Sequence, residues 1–260
     1  KAPDISDNNK EIEALEKEVT DIVICGGDGT INQIASFFQQ TPINIGIIPM
    51  GSGNGLALAA GISRNPKKAL EIILTGQSKL IDAFTVNGQF ACMLSGIGLD
   101  AQIAHDFSQQ KKRGLLTYIR VSIRAFFSTG TYPVFIETNT SNQQTDIRFI
   151  SIANSNQFGN RVTIAPQAQL QDGLLDVVVV RKKNRWVTAM SVLFQILAGK
   201  VRKRENEIKE TNAIWYFQCK QLIIQNPDLA PLHIDGEPAS TSATIEVQIN
   251  PGVLNLIQPA

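Results

Sequence analysis

The pattern of apolar and polar positions changes character near residue 79. Before it, buried-type apolar runs at 21–25 and 43–48 alternate with helical-period stretches at 11–17, 30–39 and 66–75, as in a parallel α/β sheet. Both apolar runs lead into glycine-rich turns. Cys25-Gly26-Gly27-Asp28-Gly29-Thr30 follows the first, and Pro49-Met50-Gly51-Ser52-Gly53-Asn54-Gly55 follows the second, before Leu56-Ala57-Leu58-Ala59-Ala60 opens a helix. The two turns therefore leave the same edge of the sheet, the edge at which open α/β sheets bind ligands.

After residue 79 the runs shorten. Segments 81–86 and 90–94 flank Asn87-Gly88, a hairpin signal, and helical periods at 99–107 and 115–127 follow. Strand patterns then recur at 134–138, 146–154, 174–180, 214–219, 222–225, 244–249 and 253–257, broken by a helical period at 185–198. So many short strands predict a sandwich or a barrel. There is no internal repeat and no low-complexity segment.

Composition narrows the function classes. Two hundred and sixty residues supply ample material for a core, and a formal net charge of +1 gives no reason to expect nucleic-acid binding. Cys25, Cys92 and Cys219 are odd in number and far apart, which argues against a disulfide framework and for a reducing, cytoplasmic compartment. With His105 and His233 the only histidines, no local zinc spacing exists. No apolar run approaches the roughly 20 residues of a membrane-spanning helix.

The first turn carries the most specific chemistry. Strand, glycines, then helix is how a chain brings backbone N–H groups and a helix N-terminus to a phosphate. Asp28 is unusual there, because a carboxylate repels a phosphate unless a cation or a proton lies between them. This points to a bound metal ion. The turn is neither a dinucleotide fingerprint, since Cys25 and Asp28 break the spacing, nor a Walker A loop, since no Gly-Lys-Ser/Thr follows.

Gly26-Gly27-Asp28-Gly29-Thr30 followed by Pro49-Met50-Gly51-Ser52-Gly53-Asn54 resembles the catalytic domain of diacylglycerol kinases, sphingosine and ceramide kinases and their bacterial lipid-kinase relatives. Further blocks of that family occur in its order: Ser95-Gly96-Ile97-Gly98-Leu99-Asp100-Ala101, Asn154-Ser155-Asn156-Gln157-Phe158-Gly159, Ala165-Pro166, Asp172-Gly173-Leu174-Leu175-Asp176 and Asp235-Gly236-Glu237-Pro238. The resemblance runs from about residue 21 to the end. It implies a phosphofructokinase-like α/β nucleotide domain over 1–84 and a β-sandwich domain over 85–260, the last strand free to return to the first domain and the active site lying between.

The implied reaction is transfer of the γ-phosphoryl of magnesium-bound ATP to a lipid hydroxyl. Gly26, Gly27, Asp28, Gly29, Thr30 and Asn32, with Gly51, Ser52, Gly53 and Asn54, would hold the nucleotide. Asp28 would organise the catalytic Mg2+, Asp235 would be the general base, and Glu237 a metal or network partner. Asp172 and Asp176 would carry a structural magnesium away from the chemistry. As an isolated dipeptide, Asp235-Gly236 reads equally as an ordinary turn.

Two departures stand out. Diacylglycerol kinases of this type commonly have an aspartate where this chain has Gly55, and sphingosine and ceramide kinases a small residue, so the acceptor is left open between diacylglycerol-like and sphingoid lipids. The strand and glycine loop that usually open the family are not found in residues 1–20. Alternatives are a non-catalytic nucleotide- or lipid-binding regulator and an NAD-kinase-like enzyme. Peripheral membrane contact through Lys111-Lys112-Arg113 or Lys200-Val201-Arg202-Lys203-Arg204 competes with a solvated surface, and a homodimer is left open. Leu116, Ile119, Ile123, Phe126 and Phe127 share a helical spacing and are expected in the core.

Overall fold

The computed structural model describes residues 17–110, 115–157, 164–182 and 213–260. The expected helix at 185–198, most of that at 11–17, Phe158 and Gly159, both basic runs, and the side chains of Leu116 and Ile119 lie outside the described set.

Strands β1 (Asp21–Gly26) and β2 (Asn44–Pro49) are parallel, in register from Asp21 with Asn44 to Gly26 with Pro49. Both glycine turns consequently leave one edge. A parallel pair needs a crossover, and helix α1 (Asp28–Ala35) provides it, burying Ile31 and Ala35. Full burial of each large aliphatic side chain here, such as Ile24, Ile31 or Ile47, contributes about 2 kcal/mol. Helix α1 starts two residues earlier and ends four earlier than the periodicity predicts. Five residues past its end, Gln40 takes a positive φ of 59° and donates its N–H to the Val253 carbonyl, which ties the connecting turn to the last strand.

A short helix α2 (Gly55–Ala59) follows the second turn. Helix α3 (Pro66–Thr75) has the expected bounds. Asn65 caps it by accepting from the N–H groups of Lys67 and Lys68, and Pro66 sits where a missing N–H costs nothing.

Strands β3 (Gln77–Val86) and β4 (Gln89–Ala91) form the hairpin at Asn87-Gly88, with φ of 49° and 77° as a type I′ turn requires. The buried strand β5 (Leu94–Gly98) leads into helices α4 (Leu99–Ser108) and α5 (Leu115–Ser128). Strands β6 (Tyr132–Thr138), β7 (Asn142–Ala153), β8 (Leu175–Arg181), β9 (Ile214–Cys219) and β10 (Gln221–Gln225) form antiparallel ladders. A small hairpin, β11 (Leu232–Ile234) and β12 (Glu237–Ala239), adds to β5, and β13 (Thr244–Gln258) closes the order.

The expected strands at 244–249 and 253–257 are one strand with a bulge. Its register slips between Asn250 and Leu254, where Pro251 has no N–H to give the ladder and Gly252 donates instead to Asp82 Oδ1. β13 pairs with β3 and β10 in the strand-rich part, then with β2 in parallel at Asn255 and Leu256. One apolar core gathers Ile31, Ile45, Leu56 and Leu256. A second gathers Phe84, Ile97, Ile150, Val177 and Ile245 inside the strand-rich unit.

The expected core stripe on α5 is corrected in part. Val121 and Ala125 pack with Leu99 and Ile103 of α4, whereas Ile123 and Phe127 are 56% and 46% exposed. The packing face is set by the small Ala125, two positions round from the bulkier residues. Among the described residues no helix is long and apolar enough to cross a membrane.

Candidate active site

The glycine turns touch each other. The Met50 N–H donates to the Gly26 carbonyl, and a Cβ on Gly51 would fall 2.6 Å from the Gly27 Cα and 2.9 Å from Asn54 Oδ1. Only glycine permits that approach. Asn54 folds back on its own loop: its Oδ1 accepts from the Gly51 N–H at 2.8 Å and its Nδ2 donates to the Gly51 carbonyl at 2.7 Å. Its side chain thus shapes the turn, while Gly29, Thr30 and Ser52 remain exposed at the rim. Arg64, which sequence reasoning passed over, donates to the Gly53 carbonyl at 2.7 Å.

Asp28 is the first residue of α1, and its Oδ1 accepts from the Gly55 N–H at 2.7 Å. Burial pushes its carboxyl above the usual aspartate value. The N–H groups of Gly55, Asn54 and Leu56 counter that rise, and the charge of Asp235 adds to it. The two carboxylates, remote in sequence, therefore feel one another.

Asp235 and Gly236 form the two-residue turn between β11 and β12, with φ of 48° and 83°. Three consecutive backbone N–H groups converge on the Asp235 carboxylate: Cys92 on Oδ2 at 2.9 Å, Met93 and Leu94 on Oδ1 at 3.0 and 2.8 Å. This is an anion nest filled by the protein's own side chain. Oδ2 also accepts from Asn32 Nδ2 at 2.7 Å and, weakly, from the Cys92 thiol at 3.4 Å. Burial, then the neighbouring Asp235 charge, pushes that thiol well above its ordinary range, so it stays a donor.

The nest is itself braced. Asn154 Nδ2 donates to the Cys92 carbonyl, and the Asn154 and Ser155 N–H groups donate to that of Met93. On the other side, Ser95 Oγ donates to the His233 carbonyl at 2.6 Å. The Gly236 N–H donates to His233 Nδ1 at 3.2 Å, which places the ring hydrogen on Nε2, facing Asp100 Oδ2 at 3.4 Å. His233 and Asp100 are 0% and 4% exposed and no spacing rule joins them; only the antiparallel pairing of β5 with β11 brings them together. Glu237 is exposed, its Oε1 standing 3.6 Å from where a Cβ on Gly29 would lie.

Asp172 and Asp176 form a separate cluster. Asp176 is fully buried and accepts from the Tyr216 hydroxyl, while Gln218 Nε2 reaches Asp176 Oδ2 at 3.3 Å and Asp172 Oδ2 at 3.5 Å. Burial, then the bond to Asp176, raises the Tyr216 hydroxyl far above its normal range; burial and the Asp176 charge push the Cys219 thiol up to about 12. Asp82 Oδ2 accepts from the Gly173 N–H, pinning the Asp172 turn to β3. Among the described residues no three His, Cys, Asp or Glu side chains are grouped to hold a metal ion.

The comparisons with known proteins agree with this architecture. The Diacylglycerol kinase catalytic domain family matches residues 6–86, and the YegS C-terminal NAD kinase beta sandwich-like domain family matches residues 94–258. The chain is 26% identical over 254 residues to the "Probable lipid kinase YegS-like" protein of Shewanella frigidimarina, covering 95% of this chain and 79% of that one. It is 27% identical over 232 residues to the diacylglycerol kinase of Bacillus subtilis, covering 86% and 73%. A solved diacylglycerol kinase structure from Bacillus anthracis shares the fold with a TM-score of 0.67 at 20% identity, over 96% of this chain and 80% of that one. The chain belongs to the diacylglycerol kinase catalytic-domain superfamily, with the α/β catalytic unit and C-terminal β-sandwich of the bacterial YegS-like lipid kinases.

Proposed function

We propose that this protein transfers the γ-phosphoryl group of ATP to the hydroxyl of a diacylglycerol-like or sphingoid lipid, at the seam between its two glycine turns and the Asp235 hairpin. The observation that carries the reading is the 2.7 Å bond from Asn32 to Asp235, which joins the helix of the first glycine turn to the hairpin of the second unit. Phosphoryl transfer is mostly positioning and charge neutralisation, and rigid loops offering backbone N–H groups suit it.

In this reading Gly26, Gly27, Gly29, Thr30, Gly51, Ser52 and Gly53 line the nucleotide phosphates, and Asn54 keeps the second loop in shape. Magnesium fits on charge: burial, and to a lesser degree the Asp235 charge, make Asp28 costly to ionise, and a cation held by Asp28 would offset that cost. Mg2+ commonly takes one or two carboxylates and completes its shell with water and phosphate, so a three-residue cluster is not required. When bound it would neutralise the phosphate oxygens; Asp28 would hold it, with Glu237 as a neighbour. Asp172 and Asp176, bridged by the Gln218 amide, are a proposed second magnesium site.

Asp235 is the proposed general base. The Cys92 thiol, at 3.4 Å, is the weakest of the donors on Oδ2, and the lipid hydroxyl would take its place there. The hydroxyl oxygen then bonds to the γ-phosphorus, the bond from that phosphorus to the β,γ-bridging oxygen breaks, ADP leaves, and the proton passes to Asp235.

The second reading, a non-catalytic binder, draws on Gly55 and on the engagement of both Asp235 oxygens. ADP release measured against a lipid panel in detergent micelles separates the two. Lipid-dependent ADP release supports the kinase; a thermal shift with Mg-ATP and no ADP above background supports the binder.

A further inference from the structure

Asn32 occupies a position that the nucleotide assignment does not explain. It lies one helical turn after Asp28 on α1, so the two side chains leave the same face of the helix. Asp28 turns its Oδ1 to the Gly55 N–H. The Asn32 amide has two hydrogens, and both point to the strand-rich unit: one to Asp235 Oδ2 at 2.7 Å, the other to the Phe90 carbonyl at 3.3 Å. No N–H of this side chain is left for a phosphate.

We infer that Asn32 is a positioning residue for proton transfer at Asp235, and not a ligand of the nucleotide. The inference rests on the kinase reading and deepens it. The nest of Cys92, Met93 and Leu94 fixes both oxygens of the carboxylate from its own unit; among the described residues the Asn32 amide is the donor that reaches it from the side of the glycine turns. It therefore fixes the base relative to the phosphate loop, Gly26 to Thr30, whose last three residues open the same helix. A carboxamide suits the task because it donates to a carboxylate and a carbonyl at once and adds no charge beside Asp28 and Asp235. An aspartate there would set a third carboxylate against the other two.

The test is steady-state kinetics of Asn32→Ala and Asn32→Asp with ATP and lipid varied separately, alongside thermal melts with and without Mg-ATP. Loss of alignment lowers kcat about 100-fold in Asn32→Ala, while the KM for ATP and the Mg-ATP thermal shift stay at wild-type values. Asn32→Asp falls further than Asn32→Ala, because like charges meet at Oδ2. A raised KM for ATP with kcat retained, or a lost Mg-ATP thermal shift, makes Asn32 a nucleotide ligand and overturns the inference. Should Asn32→Ala not fold, Asn32→Ser and Asn32→Asp are read by the same split between kcat and KM. If wild-type protein releases no ADP with any lipid, the kinase reading itself fails and this inference falls with it, an outcome distinct from a failure confined to the variants.

Discussion

The backbone N–H of Gly55 lies 2.7 Å from Asp28 Oδ1, so the carboxylate of the first glycine turn ties down the start of the helix that follows the second. Asp28 thereby joins three tasks: it opens α1, anchors the start of α2 and is the proposed magnesium holder. Asp28→Ala is expected to abolish the magnesium dependence of turnover, lower kcat at least about 100-fold, and cost about 1–2 kcal/mol of stability from the lost charge-assisted hydrogen bond. Magnesium titrations of activity and a denaturant melt check this; unchanged magnesium dependence would refute the metal role.

Asp235→Asn keeps the size of the side chain but sets an N–H against donors. Because the nest offers only N–H groups, one or more must go unsatisfied, at about 1–3 kcal/mol each. If Asp235 is the base, kcat falls by about 100-fold or more while Mg-ATP binding is kept. Single-turnover phosphorylation together with an ATP-binding isotherm distinguishes this from general unfolding, and wild-type rates would remove Asp235 from the chemistry.

Gly51→Ala tests the contact between the loops. Its Cβ would meet the Gly27 Cα at 2.6 Å, backbone that cannot rotate away, so the turns must separate. The expected result is a KM for ATP raised about tenfold or more, since displaced N–H groups no longer match the phosphates. A KM unchanged from wild type would show that the two turns do not grip one ligand.

Tyr216 gives a pH signature. Its folded-state hydroxyl titrates above the unfolded value, so the folded state holds the proton longer and stability falls as pH rises through the unfolded tyrosine range near about 10. Tyr216→Phe should flatten that alkaline loss while lowering the melting temperature at neutral pH, where Asp176 loses the hydroxyl donor. Melts from pH 7 to pH 11 of the two proteins check the sign. In the same series, a magnesium-induced rise in melting temperature without nucleotide, abolished by Asp172→Asn, would establish the second magnesium site.

The sequence disclosed those parts of the site that depend on local geometry. Gly26 to Thr30 and Gly51 to Asn54 are short turns after apolar strands, and the β1–β2 pairing sets them side by side as the alternation implied. Asp235-Gly236 shows why the ordinary and functional readings of a dipeptide need not compete: it is a tight hairpin turn, and the turn is what presents the carboxylate to the nest. The His233–Asp100 pair and the nest at 92–94 were not legible, because each is made by strand pairing between distant segments. The bulged β13 read as two strands because Pro251-Gly252 is a stop signal locally, overridden by the long ladder with β3.

That ladder also orders assembly in time. The residues of β13 that sit beside β2 are made more than two hundred positions after β2 itself, so the first sheet lacks a neighbour for most of synthesis. Such long-range pairing slows folding and leaves a strand edge uncovered meanwhile. The α/β unit is in this sense finished last, and a ribosome-bound chain stopped short of Thr244 should hold its glycine turns on an incomplete sheet.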